Sequence, residues 1–69
     1  NIIKGKKFKD LEFIELIKKE IPYNFIDCDF TSFNFEELEL LDLTFETCNM
    51  EETSFRYSNL ENIKFIKST

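Results

Sequence analysis

The chain has 69 residues and a formal net charge of −5, with nine Phe, no Trp and no His. One domain at most fits this length, and a domain so small buries only about 60% of its unfolded surface. The missing His removes the commonest general base and the commonest metal ligand, and no stretch approaches the roughly 18 apolar residues of a membrane span.

Charge divides the sequence before any element is placed. Residues 1–22 carry six Lys and four acids (+2), residues 23–62 ten acids and one Arg (−9), and residues 63–69 two Lys (+2). A strongly acidic body therefore lies between weakly basic ends. Residues 1–9 are expected to hold a short extended piece around Ile2 and Ile3. A helix is predicted from Asp10 to Glu20, with Asp10 as N-cap. Leu11, Ile14 and Ile17 recur on one helical face, which Phe13 and Leu16 broaden. Glu12 and Glu15 lie early and Lys18 and Lys19 late, which suits the helix dipole, and Pro22 stops the helix. Lys4, Lys6, Lys7 and Lys9 make only a weak nucleic-acid site beside the acidic body.

From residue 23 the period becomes five: YNFID, CDFTS, FNFEE, LELLD, LTFET, CNMEE, TSFRY, SNLEN, IKFIK. The central position is Phe25, Phe30, Phe35, Leu40, Phe45, Met50, Phe55, Leu60 and Phe65. Phe, Leu and Met make up 17 of the 69 residues, so nine consecutive hits in one register lie far beyond chance. Five is neither the period of a helix nor that of a plain strand. Two positions before each centre stands a second, mostly apolar or small residue, and a polar residue separates the two. Side chains alternate across an extended backbone, so the two apolar slots point one way and the polar one points out. The remaining two residues of each five must turn the chain.

This pattern resembles the pentapeptide-repeat family, whose consensus is a small residue, Asp or Asn, Leu or Phe, and two variable positions. CDFTS and CNMEE match closely, SNLEN and TSFRY well, while Phe33, Leu38 and Leu43 depart from the small-residue preference. The resemblance covers residues 23–67. It implies an all-β solenoid, a right-handed quadrilateral β-helix of about two coils with four repeats in each. An open end of such a helix exposes backbone edges and apolar groups, so the amphipathic helix is expected to cap it. The expected organisation is an extended segment and capping α-helix over 1–22, the β-helix over 23–67, and a tail at 68–69.

Four repeats to a coil stack residues that are twenty apart. Phe25, Phe45 and Phe65 then form one column, Phe35 and Phe55 another, and large Phe33 and Leu38 lie against small Thr53 and Ser58. Cys28 and Cys48 stack inside as well. They read as reduced, buried small groups rather than a redox switch or half a metal site, consistent with a cytoplasmic protein. No metal or cofactor is expected, since no further ligand of the right type is available inside.

Asp29, Glu36, Glu37, Glu39, Asp42, Glu46, Glu51, Glu52 and Glu61 fall on outward slots. A filled, convex prism offers them no cleft in which to act as an acid/base pair, and no nucleotide or nucleophile motif is present, so no catalytic residue is assigned. Arg56-Tyr57, the one basic-aromatic interruption of the acidic field, reads as a surface pair. Function is expected in the surface. Some pentapeptide-repeat proteins are acidic rods that mimic duplex DNA and bind DNA gyrase or other DNA-handling proteins. The resemblance therefore implies a basic, nucleic-acid-binding protein partner, with no direct contact to nucleic acid or membrane. The competing expectation is a scaffold or capping module of a larger repeat protein, its acids serving solubility. Phe65 and Ile66 are expected to form an uncovered end, closed by further sequence or by an end-to-end homodimer.

Overall fold

A stretch that repeats every five residues must bend every five residues, and the backbone dihedrals show where. The computed structural model describes residues 1–69. Asp27, Ser32, Glu37, Asp42, Thr47, Glu52, Tyr57, Asn62 and Lys67, the last residue of each successive five, all have φ between 49° and 60°. One left-handed residue thus ends each repeat and resets the alternation of its side chains. Gly5 (φ 66°) plays the same part before residue 23.

The bends separate short strands: β1 (Ile2–Lys4), then helix α1 (Asp10–Ile17), β2 (Asn24–Ile26), β3 (Glu39–Leu41), β4 (Thr44–Glu46), β5 (Asn59–Glu61) and β6 (Lys64–Ile66). All pairing is parallel. One sheet runs β1-β2-β4-β6 and a second pairs β3 with β5. The register is twenty residues: Phe25 opposes Phe45, Phe45 opposes Phe65, and Leu40 opposes Leu60. Single bridges Asp29–Asn49 and Asn34–Ser54 keep the same offset between the strands. Each twenty-residue tier therefore lies on the previous one. This strand-rich, parallel arrangement with one helix is compatible with the expected β-helix.

The apolar ladder is the core. Phe25, Phe30, Phe35, Leu40 and Phe45 are buried essentially completely. The rings of Phe25 and Phe45, and of Phe45 and Phe65, stack with centroids 5.3 Å apart, and those of Phe35 and Phe55 at 4.6 Å. Each such side chain contributes about 1.5–3 kcal/mol on full burial. Phe33 and Leu43 are buried too, and Leu38 is half-buried. The small residues above two of them stay satisfied: the hydroxyls of Thr53 and Ser58 donate to the carbonyls of Met50 and Phe55 at 3.0 and 2.6 Å.

Three expectations are corrected. First, the ladder does not begin at residue 23. β1 pairs with β2 so that Ile3 opposes Phe25, and a bridge joins Lys7 to Asp29. Ile3 and Phe8 thus extend two columns downward at an offset of 22, because the segment that includes α1 separates them from the later repeats. At the other end, Ser68 and Thr69 are no loose tail, since the Thr69 N–H donates to the Cys48 carbonyl at 3.1 Å.

Second, α1 ends at Ile17 rather than Glu20. Lys18 closes it, and Glu20 turns away at φ 55°. Asp10 is its first residue and Lys9 the cap, with the Lys9 N–H donating to the Glu12 carboxylate at 3.4 Å. Third, the buried face is not the one that starts at Leu11, which is 77% exposed. Phe13, about 200° away around the helix, is fully buried instead. Its ring lies 5.3–5.6 Å from those of Phe8, Phe25, Phe30, Phe33 and Phe35. The helix packs on the core chiefly through this one ring.

Candidate functional site

Alternation decides where the acids go. Glu37, Glu39, Asp42, Glu51, Glu52 and Glu61 are exposed, and Asp29, Glu36 and Glu46 half-buried. The two ion pairs of the molecule, Lys6–Glu12 at 3.0 Å and Lys18–Glu15 at 3.3 Å, involve none of these nine. Nor does an acid oppose an acid between paired strands: Glu39 opposes Asn59, Glu61 opposes Leu41, and Glu46 stands between Ile26 and Ile66. Like charges directly opposite would repel. Several carboxylates are held by neutral donors instead. The Asn62 side-chain amide donates to Asp42 at 2.7 Å and the Ser54 hydroxyl to Glu36 at 2.6 Å.

Asp29 is held most firmly. The Thr31 hydroxyl and the Thr31 N–H (2.9 Å) both donate to it, and Lys7 lies near. These bonds, the hydroxyl first, hold its carboxyl below the ordinary value. Arg56 does not neutralise the field. Its guanidinium donates to the Tyr57 hydroxyl at 3.3 Å and lies 5.3 Å from that ring's centroid, forming the expected surface pair.

Cys28 and Cys48 are free, buried and in one column with Ser68. Each donates to a carbonyl of the tier beneath: Cys28 to Ile3 at 3.5 Å, Cys48 to Phe25 at 3.2 Å, and Ser68 to Phe45 at 2.9 Å. The thiols thus occupy a slot that the Ser68 hydroxyl takes in the following tier. Burial pushes the Cys48 thiol up, which blunts its reactivity. No group of three or more Cys, Asp or Glu side chains converges to hold a metal ion.

At the last tier, Phe65 is 48% exposed and Leu60 is exposed as well. Phe65 and Ile66, expected as one patch, lie on opposite sides of β6. Phe65 continues the inner ladder, whereas Ile66 is on the outer surface opposite Glu46.

The expectation of a surface without concavity is also corrected. A cleft of about 400 Å³ lies between α1 and β3, with Ile14, Ile17, Ile21, Leu38 and Leu41 among its lining residues. Glu20, Glu37, Glu39 and Glu61 also line it, and all four are exposed. The cleft exists because the element beside β3 on this side is the helix α1, not a strand. Leu41, like Ile26 and Ile66, is an apolar residue in the fourth slot of its repeat, so the sequence carried no distinct signal of the cleft.

No family model, curated protein or solved structure matches the chain. No helix is long and apolar enough to cross a membrane.

Proposed function

We propose that the chain is a right-handed, four-sided β-helix of the pentapeptide-repeat type that acts without catalysis. Its acidic outer surface would bind a basic, nucleic-acid-handling protein such as a topoisomerase or nuclease. The observation that carries this reading is that nine outward carboxylates remain unpaired with any cation. Paired acids cancel locally, whereas unpaired ones sum to a field that steers a basic partner and repels nucleic acid itself. Duplex DNA shows one charge per roughly 1.7 Å, so the roughly 10 Å rise of two tiers corresponds to about six charges. The body carries a net −9 over that rise. The whole molecule is at most 26 Å across, short of the roughly 34 Å of a DNA turn. The reading is therefore of a plug for a nucleic-acid channel, not of a long duplex mimic. Against an enzyme stands the exposure of all four cleft carboxylates, since catalytic acid and base pairs are built from carboxyls in contrasting surroundings.

The test is binding to a purified DNA-handling protein with a basic channel. Affinity should fall steeply with added salt and be competed by duplex DNA. Binding that ignores both salt and DNA would sink the reading.

A second reading, a scaffold or capping unit, is favoured by the inequality of the ends. Phe13 plugs the first tier, whereas Phe65 and Leu60 leave the last one uncovered. On this reading a further tier or a second copy seats on that end. Sedimentation well above micromolar concentration tests the homodimer, and a strictly monomeric mass refutes it.

A further inference from the structure

The cleft beside α1 has a feature that its apolar lining does not reveal, an unused strand edge. In a parallel pair, alternate residues of a strand turn their backbone groups to the same neighbour. β3 meets β5 through the Leu38 carbonyl, which accepts from the Asn59 N–H at 2.9 Å, and the Asp42 N–H, which donates to the Glu61 carbonyl at 3.0 Å. The intervening groups, the N–H and C=O of Glu39 and Leu41, face the other way and make no backbone hydrogen bond. The equivalent edge of β2 is covered. There the Asn24 N–H donates to the Asn1 carbonyl at 2.7 Å, and the Gly5 N–H to the Ile26 carbonyl at 2.9 Å. β3 lacks such a cover because the chain beneath it is α1, whose interior backbone groups are satisfied within the helix.

We propose that this edge is a docking site for a short extended segment of a partner protein, which adds to β3 as a strand in the cleft under α1. The chemistry of the segment follows from the walls. Ile17 and Leu38 offer half-buried apolar surface, and Leu41 is 41% exposed. Glu20, Glu37, Glu39 and Glu61 outnumber the one lining cation, Lys18. A strand presents alternate side chains to opposite sides, so the segment alternates apolar residues, packed on Ile17 and Leu38, with Lys or Arg facing Glu39 and Glu61. Main-chain bonds to Glu39 and Leu41 supply affinity, and the side chains supply the choice of sequence, as in other strand additions.

The probe is a capped, fluorescein-labelled Lys-Val-Lys-Val-Lys peptide, titrated into the whole chain by fluorescence anisotropy with amide exchange followed by NMR. Saturable binding is expected, with slowed exchange at the Glu39 and Leu41 amides. Methylating alternate backbone nitrogens of the peptide should weaken binding by about tenfold or more, since it removes the strand's donors. A Glu-Val-Glu-Val-Glu peptide should not bind. Leu41→Lys, at an exposed position, should abolish binding while its circular dichroism stays unchanged. Equal binding of the N-methylated peptide, or binding without protection at Glu39 and Leu41, would overturn strand addition. Either result would leave the acidic-surface reading of function standing, because plain charge attraction would explain it. Absence of saturable binding would overturn the site outright.

Discussion

At the scale of single residues, the bends store most of the local strain. Thr47 is β-branched yet stands at φ 54°, where its Cβ crowds the following carbonyl. Its N–H is used, donating to the Ile66 carbonyl at 2.8 Å, while its side chain is exposed. Thr47→Asn keeps the N–H and brings a side chain that tolerates the left-handed region. It should raise stability by about 0.5–1 kcal/mol in urea unfolding, and an unchanged or lower midpoint contradicts this. Asp29 supplies a second residue-scale expectation. Its folded carboxyl titrates below the ordinary 3.8, so the stability it adds is complete above that value. That contribution disappears as pH falls through the lower folded value. Removing the hydroxyl in Thr31→Ala should move the Asp29 titration, followed by its carboxyl carbon shift, back toward ordinary. An unmoved curve would show that the hydroxyl is not the cause.

At the scale of elements, α1 has two apolar faces of unequal worth. Phe13 is fully buried among five other rings, whereas Leu11 points to water. Phe13→Ala should cost about 3–5 kcal/mol, the range for aromatic truncation in a core. Leu11→Ala should stay within about 0.5 kcal/mol. Equal effects in chemical denaturation would mean that the helix caps nothing. The helix was legible as an amphipathic run before Pro22, but its inner face was not. Leu11, Ile14 and Ile17 also satisfy helical spacing, and only contact with the ladder's end selects Phe13, Leu16 and Ile17. The same contact explains the cleft: a helix seals the column from below but cannot pair with the edge of β3.

For the molecule as a whole, the net −9 of residues 23–62 meets no internal ion pair. Self-repulsion of that kind opposes the compact state and is screened within about 10 Å at 0.1 M salt. Raising sodium chloride from about 20 mM to about 500 mM should therefore increase the melting temperature. A gain of about 1 kcal/mol corresponds to about 4–8 °C in a domain of this size. A flat or falling melting temperature would show that the acids are spaced too widely to repel, and would weaken the case for a strong external field.

The period of five was written in the residues from Phe25 to Phe65. The four-repeat coil that the resemblance implies added the twenty-residue register and the stacking of Cys28 on Cys48, and the strand pairing has that register. The period itself set the inward and outward sides of the side chains, among them the outward direction of the nine acids. These sides follow from local rules, because alternation and a bend every fifth residue assign each side chain a side wherever the strands lie. What the tertiary structure alone decided is non-local. The ladder starts at Ile3 and Phe8, but the 22-residue offset hides them from a search at period five. Phe13, rather than Leu11, is the helix side chain that packs into the core. The free edge of β3 was invisible for the same reason: an unpaired backbone is defined by the strand that is missing beside it, and no single residue records that absence.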